Sequence, residues 1–189
     1  MRITLLTNRD FASNFALNLL LPELSIHHDL HVFCSDRVGG HAAAPGLATA
    51  SFYEQTLPLE FLFPLIDTQP NRGELLTFQG LSQFLVAPIS SLKQPNTTGG
   101  LGTLAATEPD LMISVRYGCI LKVDALSLPA KGVLNLHSGR LPEYRGVMAT
   151  FRAMLANDSA LCSTLHWIED ATIDTGRIIS IQRHQRDPH

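Results

Sequence analysis

The 189-residue chain predicts an α/β fold: an open, twisted, mostly parallel sheet with helices on both faces. Three observations predict it. The apolar run Arg2 to Thr7 is followed by a four-residue repeat of Phe11, Phe15 and Leu19, and then by a second apolar run around His31 to Cys34. That is a β-α-β start, which requires a parallel pair of strands. Further apolar runs at Asp110 to Val115 and Gly132 to His137 alternate with helical patterns. The last of these runs ends in a polar pair, Asn135 and His137, just before a loop marked by Gly139, Pro142 and Gly146, and strand ends opening into loops are where open α/β sheets carry their chemistry.

Taken in order, Pro22 is expected to close the first helix. The first turn, Thr7-Asn8-Arg9-Asp10, has no glycine, which argues against a dinucleotide-binding turn, because such a turn needs close backbone approach to a pyrophosphate. Asp36 to Ala50 reads as a loop, and Phe52 to Ile66 as helical turns broken by Pro58 and Pro64. Leu75, Phe78, Leu81 and Leu85 place a helix over Glu74 to Leu85, with a short strand over Leu85 to Ala87. Pro88 to Gly102 reads as a second long loop, followed by a helix from Gly102 to Thr107. Cys119 to Leu128 and Val147 to Asn157 are read as helical, and Leu161 to Ile168 and Arg177 to Gln182 as the last two strands.

Composition narrows the function. Lys plus Arg number 14 against 17 Asp plus Glu, a formal charge of -3, with no basic stripe for a phosphate backbone, so no nucleic-acid partner is expected. Cys34, Cys119 and Cys162 show neither metal nor disulfide spacing and read as reduced thiols of a cytoplasmic protein. No apolar run is long enough to span a membrane, and the length suits a single domain. His27, His28, Asp29 and His31 superficially resemble metal ligands but fit a pre-strand loop better. Gly99, Gly100 and Gly102 lack the Lys-Ser/Thr of a P-loop. The tail from Gln182 to His189 reads as a solvated end.

Asn135 and His137 share a face because strand side chains alternate, so an amide and a titratable imidazole converge on one spot. Taken alone, the pair is as consistent with a polar strand cap as with a catalytic site. Asp174, in the acidic loop Ile168 to Gly176, is a third member able to reach the end of a neighbouring strand, although Asp-Thr-Gly is itself a common turn sequence.

In their order, Pro109-Asp110-Leu111-Met112-Ile113-Ser114-Val115-Arg116-Tyr117-Gly118-Cys119-Ile120-Leu121, Asn135-Leu136-His137, Leu141-Pro142 with Tyr144-Arg145-Gly146, and Ile173-Asp174-Thr175-Gly176 resemble the motifs of the folate-dependent formyltransferases. The resemblance covers about Pro109 to Ile179 and, more weakly, the first 36 residues. It implies a Rossmann-like catalytic domain over residues 1–189, short at its C-terminus, with 10-formyltetrahydrofolate as formyl donor and no metal. It also implies a catalytic triad of Asn135, His137 and Asp174. The implied folate contacts are Cys119, Ile120, Leu121 and Leu126, the loop Gly139, Arg140, Leu141 and Pro142, and the loop Asp170, Ala171, Thr172 and Ile173. Arg140 stands where the family carries an apolar residue.

Formyl transfer to an amine passes through a tetrahedral intermediate whose oxygen gains negative charge while the attacking nitrogen loses a proton. The expected roles are oxyanion donation by the Asn135 amide, charge stabilisation by a His137 imidazolium, and orientation and proton relay by Asp174. The expected acceptor is a small amine, with self-association left open. Hydrolysis of the formyl folate by water and a non-catalytic folate-binding subunit are the competing readings.

Overall fold

The computed structural model describes residues 1–36, 45–69 and 73–185. A seven-stranded sheet runs in the order β3-β2-β1-β4-β5-β6-β7. Its strands are β1 (Arg2–Asn8), β2 (Asp29–Ser35), β3 (Ser90–Ser91), β4 (Leu111–Val115), β5 (Val133–His137), β6 (Ala160–Ile168) and β7 (Ile178–Gln185). The first five pair in parallel, whereas β5 with β6 and β6 with β7 are antiparallel. Strand order reverses between β1 and β4, which opens a crevice at their C-terminal ends.

Alternation of side chains divides the core between the two faces. Ile3, Leu5, Leu30 and Val32 pack with Leu17 and Leu21 of α1 (Phe11–Leu24) on one face. Leu6, Met112 and Val133 pack with Leu104 of α5 (Thr98–Ala105) and Ala125 of α6 (Val123–Leu126) on the other. Helices therefore cover both faces, as the β-α-β pattern predicts.

The differences from the sequence reading have local causes. Helix α1 continues past Pro22 to Leu24, because Pro22 falls in its last turn, where the Ser25 amide still reaches the Leu21 carbonyl. Phe11, Phe15 and Leu19 are exposed, and Ser13, Asn14, Leu17 and Leu21 are the buried face. The repeat identified the helix but not its phase, which the cap sets: the Asp10 carboxylate accepts from the Ser13 amide while anchored to Asn8 and Arg116 at the C-terminal ends of β1 and β4.

The expected broken turns form one helical run: α2 (Ala48–Ser51), a π-helical Phe52–Leu62 and α3 (Phe63–Asp67). The wider coil accommodates Pro58, whose carbonyl accepts from the Phe63 amide, and Pro64 lies in the first turn of α3, where no amide is needed. The loop expected over Asp36 to Ala50 falls partly on residues 37–44, outside the described residues, as does the end of the tail at 186–189.

The helix expected over Glu74 to Leu85 is reduced to α4 (Phe78–Leu81), capped by Thr77, followed by a 3-10 turn, Ser82–Phe84. No strand forms at Leu85 to Ala87; the strand beside β2 is β3, inside the expected loop. Helix α5 starts four residues early because Thr97 caps it; of its three glycines only Gly100 is required by packing, since a Cβ there would strike the Gln94 carbonyl, while Gly99 and Gly102 face open space. Only α6 of the stretch Cys119 to Leu128 is helical, and α7 (Ala149–Leu155) is shorter than read, entered through Met148 with φ of 59°.

Candidate active site

Strands β5 and β6 set Asn135 opposite His166 and His137 opposite Thr164. The loop of residues 169–177 then folds Asp174 back over them, with φ of 52° at that residue. Asn135 Nδ2 lies 3.3 Å from Asp174 Oδ1, and His137 Nδ1 lies 3.3 Å from Asp174 Oδ2. Residues 39 positions apart are thus brought to one carboxylate.

Burial pushes the Asp174 carboxyl up, but hydrogen bonds from His166 and the Gly146 amide and the charges of both imidazoles hold it below its ordinary value of 3.8. The same Gly146 amide donates to Oδ2 at 2.7 Å from a backbone with φ of 79°, which glycine adopts without strain.

His137 is buried, with Nε2 2.6 Å from the Tyr144 carbonyl oxygen. A carbonyl only accepts, so Nε2 donates, and a second hydrogen on Nδ1 would be taken up by Asp174. A Cβ on Gly139 would collide with Ala149 and crowd His137 Nε2, so this loop glycine lets the chain pass over the ring.

His166 was not anticipated from the sequence. It is 1% exposed, with Nε2 3.0 Å from Asn135 Nδ2 and 3.4 Å from Asp174 Oδ1, and its Nδ1 2.8 Å from the Trp167 carbonyl. The available signal was its two-residue spacing from Thr164 on a strand, which puts both on the buried face; which strand lies opposite is a tertiary fact.

The residues implied as folate contacts divide into three groups. Leu126, Asp170 and Ala171 line a cavity of about 470 Å³, together with Lys122, Val123, Ser127, Ile168 and Glu169. Its wall is largely aliphatic, and Lys122, Glu169 and Asp170 bring charge to its edge. Cys119, Ile120 and Leu121 lead into that wall, Leu121 buried in the core and Ile120 exposed, while Thr172 and Ile173 are exposed in the loop beside it. Gly139 to Pro142 lie elsewhere: the Leu141 amide and Gly139 carbonyl bond to Thr164, and Arg140 turns toward Glu143 and Asp158. The charge at Arg140 is thus accommodated outside the cavity lining.

At the crevice between β1 and β4, Asp10 is buried and accepts from Arg116 Nη2 at 3.0 Å, Asn8 and the Ser13 amide. Burial pushes its carboxyl up, and the Arg116 guanidinium and these donors bring it below the ordinary value. The N-terminus of α1 is therefore already occupied by a carboxylate. Among the described residues no group of three His, Cys, Asp or Glu side chains gathers as metal ligands, and no helix is long and apolar enough to cross a membrane.

A family model described as formyl transferase matches residues 92–187. The chain is 34% identical over 145 residues to a methionyl-tRNA formyltransferase of Aromatoleum aromaticum, covering 73% of this chain and 45% of that protein. It is 32% identical over 155 residues to that of Neisseria meningitidis serogroup C, covering 78% and 50%. It thus spans about half the length of these curated relatives. In fold it is similar to a phosphoribosylglycinamide formyltransferase from Streptococcus pneumoniae TIGR4, with TM-score 0.58, 18% identity and coverage of 98% and 82%. It is also similar to a sugar N-formyltransferase from Shewanella sp FDAARGOS_354, with TM-score 0.56, 13% identity and coverage of 99% and 58%.

Proposed function

The chain belongs to the formyl transferase family, and on that premise we propose that it transfers a formyl group from 10-formyltetrahydrofolate to the amine of a small acceptor. The observation that carries this reading is the meeting of Asn135, His137 and His166 at the Asp174 carboxylate, close to a pterin-sized cavity whose edge includes Asp170 and Ala171. The donor supplies the activated formyl group. In the balanced reaction the bond from the formyl carbon to N10 breaks, a bond to the acceptor nitrogen forms, and the amine proton finishes on N10.

The chain's own residues have matching tasks. His137 Nε2 already donates to a carbonyl oxygen, that of Tyr144. Replacing that acceptor by the formyl oxygen keeps the hydrogen bond and adds charge stabilisation as the oxygen becomes negative. Asp174 accepts from His137 Nδ1, orients the ring, and takes the amine proton directly or through water. The Asn135 amide nitrogen, 3.0 Å from His166 Nε2 and 3.3 Å from Asp174 Oδ1, donates to the oxygen that becomes negative once the substrate displaces one of these contacts.

The small-acceptor reading is supported by the acidic charge balance and by Asp10, which holds the helix N-terminus that a phosphate would otherwise use. A second reading, methionyl-tRNA as acceptor, is favoured by the 31–34% identity to curated methionyl-tRNA formyltransferases.

The test is release of tetrahydrofolate from 10-formyltetrahydrofolate in the presence of amino sugars, amino acids, glycinamide ribonucleotide or methionyl-tRNA. Release that depends on a small amine supports the proposal. Release only with methionyl-tRNA replaces the acceptor, release independent of any amine indicates a hydrolase, and binding without turnover removes the enzymatic reading.

A further inference from the structure

The imidazole donor that formyl transfer needs is occupied by the chain itself. His137 Nε2 lies 2.6 Å from the Tyr144 carbonyl oxygen, so a formyl oxygen can take that hydrogen only after the carbonyl has withdrawn. The backbone is close to the ring on this side: a Cβ on Gly139 would stand 3.0 Å from Nε2 and 3.2 Å from the Tyr144 oxygen. The other end of the same residue is anchored. Tyr144 Oη donates at 2.8 Å to Asp158 Oδ2, between α7 and β6, and Arg140 Nη2 stands 3.9 Å from that oxygen. The Asp158 carboxylate pushes the phenol above its ordinary pKa, so the hydroxyl keeps the hydrogen it donates.

We propose that residues 142–145 form a strap closed over His137, and that the Tyr144–Asp158 hydrogen bond is the latch that sets how often it opens. The surrounding chain is lightly held. Between the buried Leu141 and Ala149, every residue from Pro142 to Met148 except Tyr144 and Gly146 is exposed. A segment with so few buried contacts opens at low cost, which leaves its polar contacts to decide its position. Those contacts are the two made by Tyr144 and two at its flanks: the Tyr144 amide donates to the Arg140 carbonyl, and the Gly146 amide to Asp174.

The closed strap and the formyl donor compete for one hydrogen bond. Only the fraction of molecules with the carbonyl withdrawn binds the donor productively, so the apparent affinity is the intrinsic affinity reduced by that fraction. Asp158 acts through Tyr144 and touches no reacting atom, which makes it a positioning residue. At saturation every molecule is open, so the latch changes KM and leaves kcat as it is. This kinetic consequence rests on the formyl-transfer reading, whereas the latch itself does not.

The test compares the full chain with Tyr144→Phe, which keeps the ring and the backbone but loses the hydroxyl, and with Asp158→Asn, which keeps a weaker acceptor. Hydrogen exchange of the Tyr144 amide is expected to speed up about tenfold in Tyr144→Phe, as for loss of one hydrogen bond to a charged group, with the rest of the sheet protected as before. Asp158→Asn should fall between the two. In turnover assays KM for 10-formyltetrahydrofolate is expected to drop about tenfold in Tyr144→Phe with kcat unchanged. A merely structural contact would do the opposite, raising KM or lowering kcat when lost. Unchanged exchange of the Tyr144 amide, or a KM that stays or rises, overturns the proposal, and if Tyr144→Phe does not fold, the same two readouts on Asp158→Asn decide it. If the wild type transfers formyl to no amine, the functional reading fails, and the exchange rates still decide whether the latch exists.

Discussion

The Gly146 amide donates to Asp174 Oδ2 at 2.7 Å, joining the loop after β5 to the loop after β6 through the same oxygen that lies 3.3 Å from His137 Nδ1. The carboxylate is thereby held at the junction of two connections, each of which contributes to its charge stabilisation. Its position does not depend on one loop alone.

If this junction is catalytic, Asn135→Ala should lower turnover about 100- to 1,000-fold, the range for losing one preorganised polar group at a developing oxyanion. His137→Ala should lower it about 100-fold or more. Formyl-transfer kinetics on folded variants check both. Near-wild-type turnover in either one removes that residue from the reaction.

Asp174 links the site to acid stability. Because its folded pKa lies below the ordinary 3.8, the stabilisation it contributes is full above that value and is lost as pH falls through the lower folded value. Asp174→Asn should therefore flatten the acid side of the stability curve below about pH 4. Thermal melts from pH 2 to 7, all about whole-unit steps, make the comparison; identical acid limbs for the two proteins contradict it.

Asp10→Ala should destabilise the fold by about 0.5–2 kcal/mol, the range for an N-cap lost from a helix. The substitution also removes the carboxylate that Arg116 faces, leaving Glu54 at 3.5 Å as its recorded ion-pair partner. Urea unfolding gives the difference, and a change within a few tenths of a kcal/mol argues against the cap as an anchor of α1.

Gly176→Ala places a Cβ against the Trp167 carbonyl, the oxygen to which His166 Nδ1 donates. Overpacking of this kind costs about 1–3 kcal/mol. The expected result is a lower melting temperature together with reduced kcat, because the carbonyl that holds His166 must shift. Unchanged values for both would show that the loop absorbs the methyl group elsewhere.

Ala171→Trp should fill part of the cavity beside Leu126 and Ile168. Donor affinity is expected to fall about tenfold or more with kcat little changed at saturation, the signature of lost uniform binding. Equilibrium titration with a folate analogue measures it. Wild-type affinity would move the donor to another face of the protein.

Much of this was legible in the chain itself. Strands β1, β2, β4 and β5 stand within a residue or two of their sequence positions because continuous apolar runs bounded by turn residues have few alternatives in a buried parallel sheet. The common direction of Asn135 and His137 follows from the two-residue period of a strand. The helices were less legible. Phe11, Phe15 and Leu19 marked a helix whose buried side was the other one, and the glycines at 99, 100 and 102 concealed the first turn of α5, because those choices answer to contacts with Asp10, Arg116 and Gln94 that lie far away in sequence or in a neighbouring loop.

The sequence by itself determined the α/β class, the polar pair at the end of β5 and the family motifs, since periodicity and turn chemistry are local properties. Only the tertiary structure decided that His166 stands opposite Asn135, that Arg140 faces Glu143 and Asp158, and that Asn135, His137, His166 and the Gly146 amide converge on Asp174. Those relations arise from antiparallel strand pairing and from loops folding back over the sheet, and no local pattern encodes which residues such long-range contacts will join.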